Sequence, residues 1–306
     1  MKKNALIIGG SGGLSGRLAA LAKDEYEVWA VTRGQRPLGD GIHLLKADRN
    51  NTENFRKTIL ETDTNWDIVF DCICMNERHA LQDLDVLPGI TKRLVVISTD
   101  SVYDPLRKDM PQNEDGYFVE EEGEPEALTY AGNKRRMEHI FINNFNTSLA
   151  VTLFRPGHIY GPGFLIGCYP EHSRQKELPQ LILDREPISL VSGGIYLSQP
   201  IFVDDLANSM LDCAERQGAF NRIFCIGGPK AVENRRYYEI IGQLLDRDLT
   251  IKEIPLTGYL EDHPEYSGHL CHRIYDLSAL REAGVRLPDT PLETGLNLHL
   301  KSLGYL

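Results

Sequence analysis

The chain has 306 residues, 42% hydrophobic and 25% charged, enough for one large domain or a nucleotide-binding domain with a smaller lobe. Its 44 acidic against 33 basic residues give a formal net charge of −11, which repels a phosphate backbone, so no nucleic-acid partner is expected. The apolar run from Ala5 to Ile8 stops at Gly9, too short for a secretory signal, and no later run reaches bilayer length; the chain reads as cytoplasmic, with no membrane partner.

In chain order, Asn4 to Ile8 predicts a fully buried strand, followed by Leu14, Leu18, Leu21 and Ala22 at helical spacing. Strands are expected at Glu27 to Thr32, Ile42 to Lys46, Ile68 to Ile73 and Leu94 to Ser98, with Phe55, Ile59 and Leu60 on an intervening helix. Between Cys74 and Arg93 there is room for one short helix bearing Leu81, Leu84 and Leu87. The acidic stretch Asp109 to Glu126 reads as a solvated loop, with an acidic lid as the alternative. Tyr130 to Asn144 predicts a helix and Leu149 to Phe154 a strand. Apolar runs alternating with helix-period segments specify an α/β fold, a doubly wound parallel sheet of Rossmann type.

After Arg155-Pro156 the rhythm loosens, with prolines at 162, 170, 179, 187 and 200. This predicts a smaller mixed α/β C-terminal lobe over the carboxyl edge of the sheet, where ligands of this architecture bind. The expected division is a dinucleotide-binding domain of residues 1–155 plus a return segment near 193–227, and a substrate lobe of 156–192 and 228–306. The six cysteines lack Cys-x-x-Cys spacing and read as reduced, buried small hydrophobes. His263, His269, Cys271 and His272 form the one metal-like cluster, but their spacing matches no ligand pattern, and no metal is expected.

Three separated pieces carry chemistry. Gly10, Gly13 and Gly16 follow the first strand and open the first helix, where backbone N–H groups can approach a pyrophosphate held by the positive helix start. Ser98-Thr99 ends a strand. Tyr130 and Lys134 lie one helical turn apart and share a face, and a nearby ammonium would pull the phenol's titration down toward working pH. At the end of the second strand, Val31-Thr32-Arg33-Gly34 offers no carboxylate for ribose hydroxyls. Arg33, with Arg36 nearby, is suited instead to a 2′-phosphate, favouring NADP over NAD.

The Gly-x-x-Gly-x-x-Gly turn, Thr99-Asp100-Ser101 and Tyr130-Ala-Gly-Asn-Lys134 together resemble the extended short-chain dehydrogenase/reductases, the NAD-dependent epimerase/dehydratase family. The resemblance continues through Arg155-Pro156-Gly157-His158, Phe202-Val203-Asp204-Asp205 and Tyr275-Asp276-Leu277-Ser278, covering effectively the whole chain. It implies an NAD(P)-dependent oxidoreductase, epimerase or dehydratase acting on a hydroxyl or keto carbon of a sugar-like small molecule, nucleotide sugars left open. Thr99, Tyr130 and Lys134 would form the catalytic triad, with Asp100 as a further catalytic carboxyl or a structural one. Gly10, Ser11, Gly12, Gly13, Leu14, Gly16, Thr32, Arg33, Asp48, Arg49, Ile73, Ser98, Tyr130, Lys134, Pro156 and His158 would meet the cofactor. Asp48 is at the position that meets the adenine amino group, or caps a helix.

Three departures qualify the substrate and the assembly. Nucleotide-sugar members carry a diphosphate-gripping arginine where this chain has Ser198, and Arg273 is only a loose candidate for the second such arginine. Position 101 is serine, so the second carboxylate of a sugar dehydratase is missing. The short helix between Cys74 and Arg93 leaves the family's usual homodimer unassured and resembles the atypical branch that includes chloroplast stem-loop-binding-like proteins. Two other readings stay open: a regulatory protein that senses NAD(P) without catalysis, and an RNA-binding atypical member, which the acidic charge opposes.

Overall fold

The computed structural model describes residues 2–122, 128–145 and 148–306. In its first half, β1 (Lys3–Ile8), α1 (Gly13–Ala22), β2 (Tyr26–Thr32), β3 (Ile42–Lys46), α2 (Thr52–Leu60), β4 (Ile68–Asp71), α3 (Glu77–Val86), β5 (Arg93–Ile97), α4 (Tyr130–Ile142) and β6 (Ala150–Pro156) alternate as the hydrophobic pattern demands. The second half adds β7 (Ile159–Tyr160), α5 (Leu178–Leu183), β8 (Ile188–Val191), β9 (Leu197–Ser198), β10 (Ile201–Phe202), α6 (Val203–Asp212) and β11 (Arg222–Ile226). It closes with β12 (Val232–Glu233), α7 (Asn234–Leu244), β13 (Ile251–Ile254), α8 (Leu256–Asp262), α9 (Ser278–Glu282) and α10 (Leu292–Ser302).

Seven parallel strands form one sheet in the order β11-β6-β5-β4-β1-β2-β3. The order reverses between β1 and β4, which opens a crevice at their carboxyl ends. Both faces of the sheet are covered, and β1 shows why its sequence is continuously apolar. Ala5 and Ile7 pack with Leu18, Phe70 and Leu206 on one face, while Leu6 and Ile8 pack with Phe55, Val69 and Phe141 on the other. A separate apolar cluster, including Tyr169, Leu190, Tyr237, Tyr238 and Leu296, holds the mixed elements of the second half, among them the parallel pair β8–β13 and the antiparallel pair β9–β12.

The Rossmann-type sheet is thus as expected, and the observed strand ends differ from the expected ones by a residue or two. Leu60 and Leu81 differ in burial, being 39% and 50% exposed. For Leu81 the cause is electrostatic. Helix α3 turns Gln82 and Asp83 inward to meet the buried guanidinium of Arg49, and this points Leu81 at solvent. The acidic stretch forms an irregular segment as far as Glu122; residues 123–126 of it lie outside the described residues. No helix among the described residues is long and apolar enough to cross a membrane.

The helix that carries Tyr130 is fastened to the sheet by a buried ion pair. Arg155 of β6 donates from Nε and Nη2 to the two carboxylate oxygens of Glu138 on α4, each at 2.8 Å, and from Nη1 to the Tyr103 hydroxyl at 2.7 Å. Arg155 keeps Glu138 below the ordinary carboxyl range against the opposing effect of burial. Breaking such a pair from one side leaves an uncompensated buried charge. Arg155→Met should therefore lower unfolding free energy by about 3–5 kcal/mol in urea titrations. Because Glu138 titrates low in the fold, the pair's contribution is present above the free carboxyl's titration and is lost as pH falls through the folded value, so the wild-type advantage should shrink in acid.

Candidate active site

A cavity of about 420 Å³ runs from the β1–α1 turn past the ends of β2 and β3. Gly9, Ser11 and Gly12 line one side, Thr32, Arg33 and Arg36 another, and Asp48 and Ile73 a third. Gly10 adopts φ +68°, and a Cβ there would stand 2.5 Å from that of Ala30, so this turn admits glycine alone. Gly13 is required for another reason: a Cβ would lie 2.7 Å from the ring of Phe164, which packs the loop after β7 onto the turn. Leu14 points into the core, so it can serve a ligand only through the free N–H of the helix's first turn. Asp48 accepts the N–H of Asn50 at 2.9 Å while still lining the cavity, and the cap of α2 is Asn51 instead.

The side chains expected to form the triad lie toward the carboxyl ends of β4 and β5. Thr99 follows β5 in extended conformation, and its hydroxyl donates to Ser101 Oγ and accepts the Ser101 N–H, both at 3.2 Å. Tyr130 begins α4, capped by Thr129 accepting the N–H of Gly132 at 3.1 Å, and is 56% exposed along the cleft. Lys134, one turn deeper and 1% exposed, donates to the carbonyl oxygens of Cys74 at 2.6 Å and Ile97 at 2.7 Å. Cys74 lies just past the end of β4 and Ile97 ends β5, so the ammonium bridges the carboxyl ends of these two neighbouring strands. Ser98 is buried behind Thr99, and Pro156 ends β6 beside His158, whose ring meets Tyr237 edge-on.

Four expectations need correction. Lys134 does not pull the Tyr130 phenol down: the ammonium is turned to backbone carbonyls, and partial desolvation of the phenol raises Tyr130 above its ordinary value. Asp100 is not a free catalytic carboxyl. Arg273 grips it with Nε and Nη2, both at 2.7 Å, and the Tyr275 hydroxyl donates at 2.5 Å, holding it far below the usual carboxyl range and unable to release a proton at neutral pH. Arg273 is likewise spent and cannot grip a diphosphate. Arg49 does not offer its guanidinium to a cofactor, because it is buried between Asp71 and Asp83 with a further bond to the His79 carbonyl at 3.0 Å.

That last network also contains the metal-like set found among the described residues, Asp71, Cys74 and Asp83, whose two carboxylates Arg49 already bridges. The histidines near residue 270 do not converge. His272 accepts the N–H of Leu197 at 3.1 Å, and His263 faces Glu265. The six cysteines are unpaired, four of them buried. Sequence reasoning missed Gln35, Asn50, Met75 and His79 in the cavity wall. Asn50 was within reach of a reading that followed the strand end past Asp48; His79 lies on α3 and carries no local signal.

Residues 79–227 match the family profile described as NAD dependent epimerase/dehydratase family. No curated protein matches the chain. Among solved structures, an epimerase from Methanothermobacter thermautotrophicus is similar with a TM-score of 0.79 at 17% identity, covering 99% of this chain and 92% of that one. A UDP-N-acetylglucosamine 4-epimerase from Methanobrevibacter ruminantium, in complex with UDP-N-acetylmuramic acid, gives 0.79 at 19% identity over 99% and 98% of the two chains. A UDP-glucuronic acid 4-epimerase from Bacillus cereus, in complex with UDP-glucuronic acid and NAD, gives 0.74 at 17% over 98% and 99%. Residues 79–227 thus resemble the NAD dependent epimerase/dehydratase profile, and the chain has the Rossmann-type fold of these epimerase structures.

Proposed function

We propose that this protein is an NAD(P)-dependent enzyme acting on a hydroxyl or keto carbon of a sugar-like small molecule, by reduction or within epimerisation or dehydration. The observation that carries this reading is Tyr130 at the start of α4 with the buried Lys134 one turn deeper, its ammonium on the carbonyls of Cys74 and Ile97 where β5 leads into Thr99, and a glycine-turn cavity that Ile73 also lines. A protein that only sensed the dinucleotide would need no such pair. The donor set fits the cofactor: Ser11, Thr32, Arg33 and Arg36 can donate and Asp48 can accept around one cavity of about 420 Å³. When bound, the nicotinamide would give or take the hydride.

The chain's own residues handle the proton. Thr99 holds the substrate oxygen, Tyr130 gives or takes the proton on that oxygen, and Lys134 holds the nicotinamide ribose. The phenol is protonated at neutral pH and so can donate to a forming alkoxide. Neighbouring folds are named for nucleotide-sugar epimerases, but Ser198 stands where a diphosphate clamp would be, so we favour a smaller substrate. Arg33 and Arg36 border the cavity where β2 ends without a carboxylate, which supports NADP over NAD. The division into a dinucleotide domain and a substrate lobe follows the same logic, with Tyr130 at the seam.

Tyr130→Phe should lower turnover by about 10²–10⁴ while dinucleotide affinity stays within about threefold, in steady-state assays paired with cofactor titration. Tyrosinate absorbance of wild type minus this variant should place the Tyr130 transition above the ordinary 10.0 in the ligand-free protein, with a value below it rejecting the raised phenol. Arg33→Ala should weaken NADPH binding roughly tenfold or more and leave NADH nearly unchanged, because a charge-assisted phosphate contact is lost. Equal losses for both would reject the 2′-phosphate assignment.

A further inference from the structure

We propose that Asn50 reads the base of the dinucleotide: its side-chain N–H and the Asp48 carboxylate form a donor and acceptor pair in the cofactor cavity that selects a 6-aminopurine. This rests on the dinucleotide reading proposed above and specifies which base is taken.

One cavity holds the two groups together. It passes from Gly9, Ser11 and Gly12 along Thr32 and Arg33, and Ala47, Asp48, Asn50, Met75 and His79 complete its wall beyond β3. With the pyrophosphate on the glycine turn and the nicotinamide toward Tyr130, the base falls at this end. Met75 is 42% exposed there although apolar, so a flat base would find a hydrophobic face to cover.

Its neighbours fix which way the Asn50 amide points. Arg78 Nη2 lies 2.7 Å from Asn50 Oδ1, and a guanidinium only donates, so the atom that faces it is the oxygen. His79 approaches the same oxygen with Nε2 at 3.4 Å. The His79 Nδ1 accepts the N–H of Met75 at 3.2 Å, and burial pushes the ring's titration down to about 4, so the single proton of the neutral imidazole sits on Nε2 and points at Asn50. Oδ1 is thereby occupied from two sides. Nδ2 has no partner among the described residues and keeps both hydrogens for water or a ligand.

Asp48 is the complement. Its Oδ1 accepts the Asn50 N–H at 2.9 Å, which ties the two residues into one turn and leaves Oδ2 to accept from a ligand. The support behind them is closed: Gln82 Nε2 donates to the Arg49 carbonyl at 3.1 Å, Arg49 Nη2 to that of His79 at 3.0 Å, and Asn76 accepts the His79 N–H at 3.1 Å. A pair held this way loses little freedom on binding. An acceptor beside a donor matches adenine, which presents amino hydrogens next to an accepting ring nitrogen. A carbonyl in place of that amino group, as in hypoxanthine, would set one acceptor against another and leave the carboxylate unpaired.

The test measures binding of reduced dinucleotides by nicotinamide fluorescence at constant ionic strength. Wild type should bind NADPH and NADH each about tenfold or more tightly than the counterpart that carries hypoxanthine. Asn50→Ala should weaken both adenine dinucleotides by about fivefold, and Asn50→Asp, which keeps an oxygen for Arg78 but turns the free donor into an acceptor, by about tenfold or more. Wild-type affinity in Asn50→Asp, or indifference of wild type to the base, would overturn the proposal. So would a loss confined to NADPH, which would assign Asn50 to the 2′-phosphate. A wild-type chain that binds no dinucleotide of either base fails earlier and overturns the underlying enzyme reading.

Discussion

The carboxylate of Asp100 is the constraint on which the cleft depends. It sits directly after Thr99, and through Arg273 and Tyr275 it ties the turn at the end of β5 to a segment more than 170 residues further along the chain. Lys108 adds a third cationic or hydroxyl partner at 3.4 Å. A buried charge held this completely has no alternative partner, so the turn that presents Thr99 has one arrangement. The far segment is fixed by the same contact, and with it one wall of the cleft.

A second ionic centre does equivalent duty at the cofactor side. Arg49, Asp71 and Asp83 join the loop after β3, the end of β4 and the middle of α3. Asp71 is kept ionised by Arg49, while burial and the neighbouring negative charge push Asp83 up. Together with Glu138 and Arg155, these centres place buried charge at three corners of the sheet's carboxyl edge. An apolar core alone would fix the sheet but leave its edge loops free; the ion pairs fix the loops.

Legibility in the sequence followed the range of the interactions. Strands such as Ile42–Lys46 and the start of α4 at Tyr130 are written locally, and the structure has them where the pattern puts them. The glycine turn was legible because steric demand acts on a single residue. The roles of Asp100, Arg49 and Arg273 were not legible, since a charged residue beside a motif reads as functional until its partner is known, and each partner lies distant in sequence. The phenol's titration failed for a related reason: spacing puts Tyr130 and Lys134 on one face, but two strand-end carbonyls decide where the ammonium points.

Tyr130, Lys134 and Glu138 recur every four residues along α4, passing from 56% exposed to 1% and then to fully buried. One helix face therefore runs from the open cleft to the sealed ion pair with Arg155. Any axial slip or rotation of α4 would also drag the Glu138 carboxylate away from the Arg155 guanidinium that holds both its oxygens. Evolutionary latitude is then confined to the opposite wall, where loops can be exchanged while this helix face is inherited unchanged.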